Sequence, residues 1–126
     1  KIRNKQGGCK VGEAVITTAG QLLSKFVIHA VGPVWNNGNS NEEKLLYSAY
    51  INSLKIALDN QIQTMAFPNI STGTYNFPKN KAALIAIKSI RDFSMTTDIV
   101  KKIIFVCFDN KNYNIYKSLL KDKMHI

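Results

Sequence analysis

The run Ser71-Thr72-Gly73-Thr74-Tyr75-Asn76-Phe77-Pro78 brings hydroxyls, a glycine and aromatics into one stretch of turn-forming residues. Placed between a strand and a helix start, such a loop presents consecutive backbone N–H groups, which can cradle a diphosphate as other anion-binding nests do. Gly73 would let the backbone come close to the oxygens. The same residues equally suit an ordinary strand-to-helix loop, and their types leave both readings open. Phe108, just ahead of Asp109-Asn110, could stack on a base, although phenylalanines at strand ends more often belong to the core. His29 lies inside an apolar strand and reads as a structural histidine. Glu13 has no partner acid near it in sequence and reads as structural too. Cys9 and Cys107 are isolated, without the spacing of a zinc site or a redox pair, so no metal is expected and a reduced, cytoplasmic setting fits best.

The elements that must position these residues follow from period and punctuation. Glu13 to Thr18 reads as a short strand broken at Ala19-Gly20, and Phe26 to Val31 as a strand stopped by Gly32-Pro33. The second is apolar on both faces apart from His29, the pattern of a strand inside a covered sheet. Ser40 and Glu43 have capping-box spacing, which predicts a helix over about 41–59 with Leu46, Ala49, Tyr50, Leu54 and Ala57 on its inner face. Thr64 to Ile70 is a third strand. Pro78 suits a first helical position, and a stripe from Ala82 to Phe93 continues that helix to about Ser94. Lys102 to Phe108 is the most apolar strand, and Asn110 can cap a last helix carrying Tyr113, Tyr116, Leu119 and Leu120. Strands alternating with helices imply a mostly parallel sheet covered by helices, with ligands bound beyond the carboxyl ends of its strands.

With 126 residues and 45% hydrophobic content, the chain has the length and composition of one globular domain with one core. Its longest apolar runs fall far short of the roughly 20 residues of a membrane helix, so no membrane partner is expected. No initiator Met opens it, and its start reads as mid-protein. A formal charge of +9 favours anionic ligands without choosing among nucleotide, nucleic acid and lipid. The lysines are spread without a dense block, and no nucleic-acid-binding module is recognisable, which disfavours nucleic acid as a partner.

Three separated stretches, Gly8 to Thr17, Phe26 to Pro33 and Ala66 to Pro78, resemble the macro domain family in residues and in order. Val31-Gly32-Pro33-Val34-Trp35, followed by Asn41-Glu42-Glu43 and Ala49 to Leu54, is similar to its bacterial O-acetyl-ADP-ribose deacetylase branch. The resemblance covers nearly the whole chain. It implies a three-layer α/β/α fold with a mixed, mostly parallel central sheet, of which residues 1–126 are the C-terminal two-thirds of one domain, truncated at its N-terminal side.

The resemblance also implies that Ser71, Thr72, Gly73, Thr74, Tyr75 and Asn76 wrap the diphosphate of ADP-ribose, with Tyr75 beside the distal ribose and a contributor to catalysis there. It assigns Phe108 to the adenine, reversing the reading from residue type. Thr74 stands where the family more commonly has an aliphatic residue, and Asn76 where it has glycine, which adds strain if that position needs positive φ. The family's remaining catalytic Asn and Asp motifs precede Lys1. The implied activity is hydrolysis of ADP-ribose derivatives by a positioned water, without cofactor or metal; a non-catalytic reader of ADP-ribose or ADP-ribosylated protein is the alternative. In macro domains a preceding strand occupies the middle of the sheet. Without it, the strands at 13–18 and 26–31 are expected to stand apart from those at 64–70 and 102–108, with open edges prone to association.

Overall fold

The computed structural model describes residues 10–18, 26–73, 75–97, 100, 102–107 and 109–123. Its elements are β1 (Ala14–Thr18), β2 (Phe26–Ala30), α1 (Glu42–Asp59), β3 (Thr64–Phe67), α2 (Lys79–Ser94), β4 (Lys102–Phe105) and α3 (Asn110–Lys123), in the expected order. β3 ends before the expected Ile70, because Pro68 has no N–H to give and the Ile70 N–H turns back onto the Pro68 carbonyl at 3.1 Å. β4 also ends early, although the Val106 N–H still reaches the Phe67 carbonyl at 2.8 Å.

Among the described residues the strands form two two-stranded ladders. β1 and β2 are antiparallel with Ala14 opposite Ala30, and β3 and β4 are parallel with Met65 opposite Ile103. Among the described residues no ladder joins the pairs, so β1 and β2 stand apart from β3 and β4 as expected. Helix α1 connects them instead. Its Asn52 side chain donates to the Gly12 carbonyl at 2.7 Å beside β1, while its Tyr50 ring packs 5.1 Å from Phe67 on β3.

The core lies on one face of the β3–β4 ladder, where Leu46, Tyr50 and Leu54 of α1, Ala82, Ala83, Ala86 and Ile87 of α2, and Tyr116 of α3 meet Met65 and Phe67. The other face carries Ala66, Ile104 and Val106 and is exposed, so β4 is covered on one side only among the described residues. On α3 the buried stripe is Asn112 and Tyr116, whereas Tyr113 faces solvent and Leu120 is exposed.

The capping box does not form. Asn41 occupies the N-cap with φ 60° and offers no side-chain cap, and Glu43 lies 3.6 Å from Lys81. Glu42 is buried instead, and its carboxylate accepts the N–H groups of Asn36 (2.5 Å), Ser40 (2.7 Å) and Gly38 (3.1 Å). It thereby ties the polar loop to the start of α1. Burial opposes its ionisation, but the surrounding backbone donors outweigh that and hold its carboxyl below the ordinary value of 4.5. A depressed carboxylate contributes stability above its unfolded pKa and loses it as pH falls through the folded one. Melting temperature should therefore drop as pH is lowered below about 4.5, and Glu42→Gln should flatten that part of the profile. An unchanged acid limb in the glutamine variant would remove Glu42 as its source.

Candidate functional site

β3 delivers the chain to Ile70, and residues 70–77 then fold into a set of nested closures. The outermost joins the Phe77 N–H to the Ser71 carbonyl at 2.9 Å. Inside it, the Asn76 N–H meets the Gly73 carbonyl at 2.9 Å, and at the loop's entry the Thr72 N–H meets the Asn69 carbonyl at 3.3 Å. The amides of Thr72, Asn76 and Phe77 are thus spent on nearby carbonyls. Those of Ser71, Gly73 and Tyr75 donate to no acceptor among the described residues, with Gly73 and Tyr75 open to solvent. An alternating set of free donors at the carboxyl end of a parallel strand is an anion-binding arrangement.

Neighbouring elements fasten this loop. The Trp35 N–H donates to the Tyr75 carbonyl at 2.9 Å, and the Trp35 ring packs on buried Phe77 with centroids 4.8 Å apart. Gly32 lies directly against the loop, where a Cβ would run into Ser71 Oγ and Ile70 Cγ2. The Thr72 hydroxyl turns inward to the Asn69 carbonyl at 3.0 Å. Below it, the Asn69 amide lies 3.7 Å from the Cys107 sulfur. Burial pushes the nearby Tyr116 hydroxyl up to about 12, with the Tyr50 and Asn69 side chains partly offsetting it. Burial likewise raises Tyr50, whose oxygen lies buried without a well-aligned hydrogen bond despite its nearness to Tyr116.

Ser71 and Asn76 both adopt positive φ, at 67° and 60°. The strain expected for an asparagine in place of glycine is therefore present, at the residue type that tolerates it best after glycine. Asn76→Ala should cost about 1–2 kcal/mol, and Asn76→Gly should be neutral or stabilising. Urea unfolding of both variants checks this, and an alanine variant as stable as the wild type would refute the strain.

A polar cleft of about 300 Å³ adjoins the loop, lined by Thr72, Asn76, Phe77, Pro78, Lys79 and Lys111. A second hollow of about 350 Å³ between β4 and α3 is apolar, lined by Ile103, Phe105, Cys107, Tyr113, Tyr116 and Leu120, and holds no free amides of the loop. Of the residues singled out in the sequence, Ser71, Thr72, Gly73, Tyr75 and Asn76 come together here. Thr74 and Phe108 lie outside the described residues, as does Cys9. Glu13 is exposed; its carboxylate accepts the Lys10 N–H at 3.2 Å, and its carbonyl accepts that of Val31 at 3.2 Å. His29 pairs with Val15 through the β1–β2 ladder, and its side chain lies outside the described residues. The last helix is capped by Asp109 and not Asn110, with the Asn112 N–H 2.8 Å from Asp109 Oδ1. Among the described residues no cluster of three or more His, Cys, Asp or Glu is arranged to hold a metal ion, and no helix is long and apolar enough to cross a membrane.

Sequence reading missed Gly32, Asn69 and Asn112. Gly32 carried a signal only as a strand stop, since its contact is with a loop distant in sequence. Asn112 lies four residues before Tyr116, on the same helical face, so its burial was legible in principle.

The profile of the Macro domain family matches residues 1–86. An O-acetyl-ADP-ribose deacetylase of Escherichia fergusonii is 50% identical over 120 residues, which are 95% of this chain and 68% of that protein. Among solved structures, the Oceanobacillus iheyensis macrodomain with ADP superposes with a TM-score of 0.89 at 35% identity, over 98% of this chain and 66% of that one. The Trypanosoma brucei macrodomain in complex with ADP-ribose does so with a TM-score of 0.82 at 31% identity, over 90% of this chain and 47% of that one. The chain spans about two thirds of the length of the curated relatives it matches.

Proposed function

Since this chain belongs to the macro domain family, we propose that it binds ADP-ribose as part of a hydrolase of ADP-ribose derivatives, of the O-acetyl-ADP-ribose deacetylase or ADP-ribosyl hydrolase type. The observation that carries the reading is the loop at 70–77, whose Ser71, Gly73 and Tyr75 amides are unspent at the carboxyl end of β3. A diphosphate is the part of ADP-ribose that needs several fixed N–H donors. The activity named for the Escherichia fergusonii relative and the nucleotides in the two macrodomain complexes agree with it. In this reading the loop from Ser71 to Asn76, Thr74 included, holds the diphosphate, Tyr75 lies beside the distal ribose, and Phe108 packs on adenine. The chain's own contribution to catalysis is to fix the diphosphate, so that the distal ribose meets an attacking water in a constant pose.

Titration calorimetry of the whole protein with ADP-ribose tests binding, and acetate release from O-acetyl-ADP-ribose tests turnover. Binding without turnover of any ADP-ribose ester or glycoside would convert the enzyme into a reader. Stacking on a base is worth about 1–3 kcal/mol, so Phe108→Ala should weaken ADP-ribose roughly tenfold or more. Ribose-5-phosphate should be unaffected, and an equal loss for that ligand would take the adenine away from Phe108.

A further inference from the structure

Asn112 stands in the first turn of α3 with 2% of its surface exposed, an amide among core residues. Its main-chain N–H is held by Asp109 Oδ1, and its Nδ2 donates to Thr72 Oγ1 at 3.5 Å, across forty residues of sequence. The Thr72 hydroxyl has one proton, and that goes to the Asn69 carbonyl at 3.0 Å. Its oxygen can therefore accept from Asn112 at the same time, and the two bonds point the side chain away from the loop's open side. Meanwhile Asn112 Oδ1 has no partner. Half-satisfied buried amides weaken a core, and an apolar side chain of the same size would pack there at lower cost. Packing of the core therefore does not account for an asparagine at this position.

We propose that Asn112 is a positioning residue for the diphosphate loop, acting through the Thr72 hydroxyl; this rests on the ADP-ribose reading above. With Thr72 clamped from below and its own N–H on the Asn69 carbonyl, the Thr72–Gly73 peptide is held with the Gly73 amide free of internal acceptors, and the turn that Thr72 closes leaves the Ser71 amide free as well. Because Asp109 follows Phe108 directly, the first turn of α3 links the chain segment assigned to adenine with the loop assigned to phosphate.

The test compares wild type with Asn112→Leu, Thr72→Val, Thr72→Ser and the Asn112→Leu/Thr72→Val pair in the whole protein, titrated with ADP-ribose and with adenosine. Losing one neutral hydrogen bond should weaken ADP-ribose about three- to tenfold in each single variant. The pair should lose no more than the worse single variant, Thr72→Ser should bind as wild type, and adenosine affinity should stay constant throughout. A merely structural asparagine would lower the melting temperature without separating the two ligands. A folded Asn112→Leu protein with undiminished ADP-ribose affinity overturns the proposal, as do equal losses for adenosine or additive losses in the pair. Should Asn112→Leu fail to fold, Thr72→Val decides: unchanged affinity overturns the proposal, and a selective loss recovered in Thr72→Ser upholds it. Wild-type protein that does not bind ADP-ribose would instead overturn the functional reading itself.

Discussion

Gly32→Ala is expected to weaken ADP-ribose binding by about ten- to a hundredfold, the equivalent of the roughly 1–3 kcal/mol that overpacking a close contact costs. The added methyl would meet Ser71 Oγ and Ile70 Cγ2. The serine hydroxyl can rotate away, but a β-branched isoleucine is stiff at χ1. Ile70 opens the loop and Ser71 closes it through the Phe77 N–H, so relief comes most readily by moving the loop itself. The helices keep their own backbone hydrogen bonds when the loop shifts, so far-ultraviolet dichroism should not change. Calorimetry that found undiminished affinity in a folded Gly32→Ala protein would show that the loop does not depend on this close approach.

The order of strands and helices was legible because each has a period the sequence states openly. Leu46, Tyr50 and Leu54 repeat at helical spacing and are all buried as read. Element ends were less legible, since they depend on pairing. Pro68 was visible, but the early end of β3 follows from the Ile70 N–H choosing the Pro68 carbonyl over a neighbouring strand. The start of α1 was misread for a related reason. Glu43 has the right spacing for a capping box, yet Glu42 has three loop amides within reach, and these satisfy a buried carboxylate better than one cap bond would.

The candidate loop was legible as a composition but not as a geometry. Hydroxyls, glycine and Tyr75 marked the place, whereas which amides remain free is set by Asn69, Gly73 and Ser71 carbonyls that accept from within the loop. Its supports were harder still. Trp35, Gly32 and Asn112 reach it from a strand exit and a helix far away in sequence, and nothing in their local pattern names Tyr75, Ser71 or Thr72 as partners. The macro domain resemblance rested on separated stretches, 8–17, 26–33 and 66–78, the last two of which meet where Gly32 lies against Ser71 and Ile70.

Residues 1–126, purified by themselves, are expected to associate instead of remaining monomeric. Each described strand has one hydrogen-bonded neighbour, so all four strands, β2 and β3 among them, keep an edge that no described strand covers. Unpaired edges are templates for another chain. On the β3–β4 ladder the open edge adjoins an apolar face on which Ile104 is 42% and Val106 49% exposed. Both features favour contact between copies: the edge through its backbone groups, which cost about 1–3 kcal/mol each if buried unpaired, and the face through removal of apolar surface from water. A domain stable by only about 5–15 kcal/mol has little reserve against several such losses. Light scattering coupled to size exclusion should therefore find dimers or larger species that grow with concentration. Ile104→Lys and Val106→Lys, on the face away from the helices, should shift the distribution toward monomer without disturbing the packed side. A wild-type chain that elutes as a monomer and melts cooperatively at high concentration would mean that the two ladders and α1 already satisfy the fold.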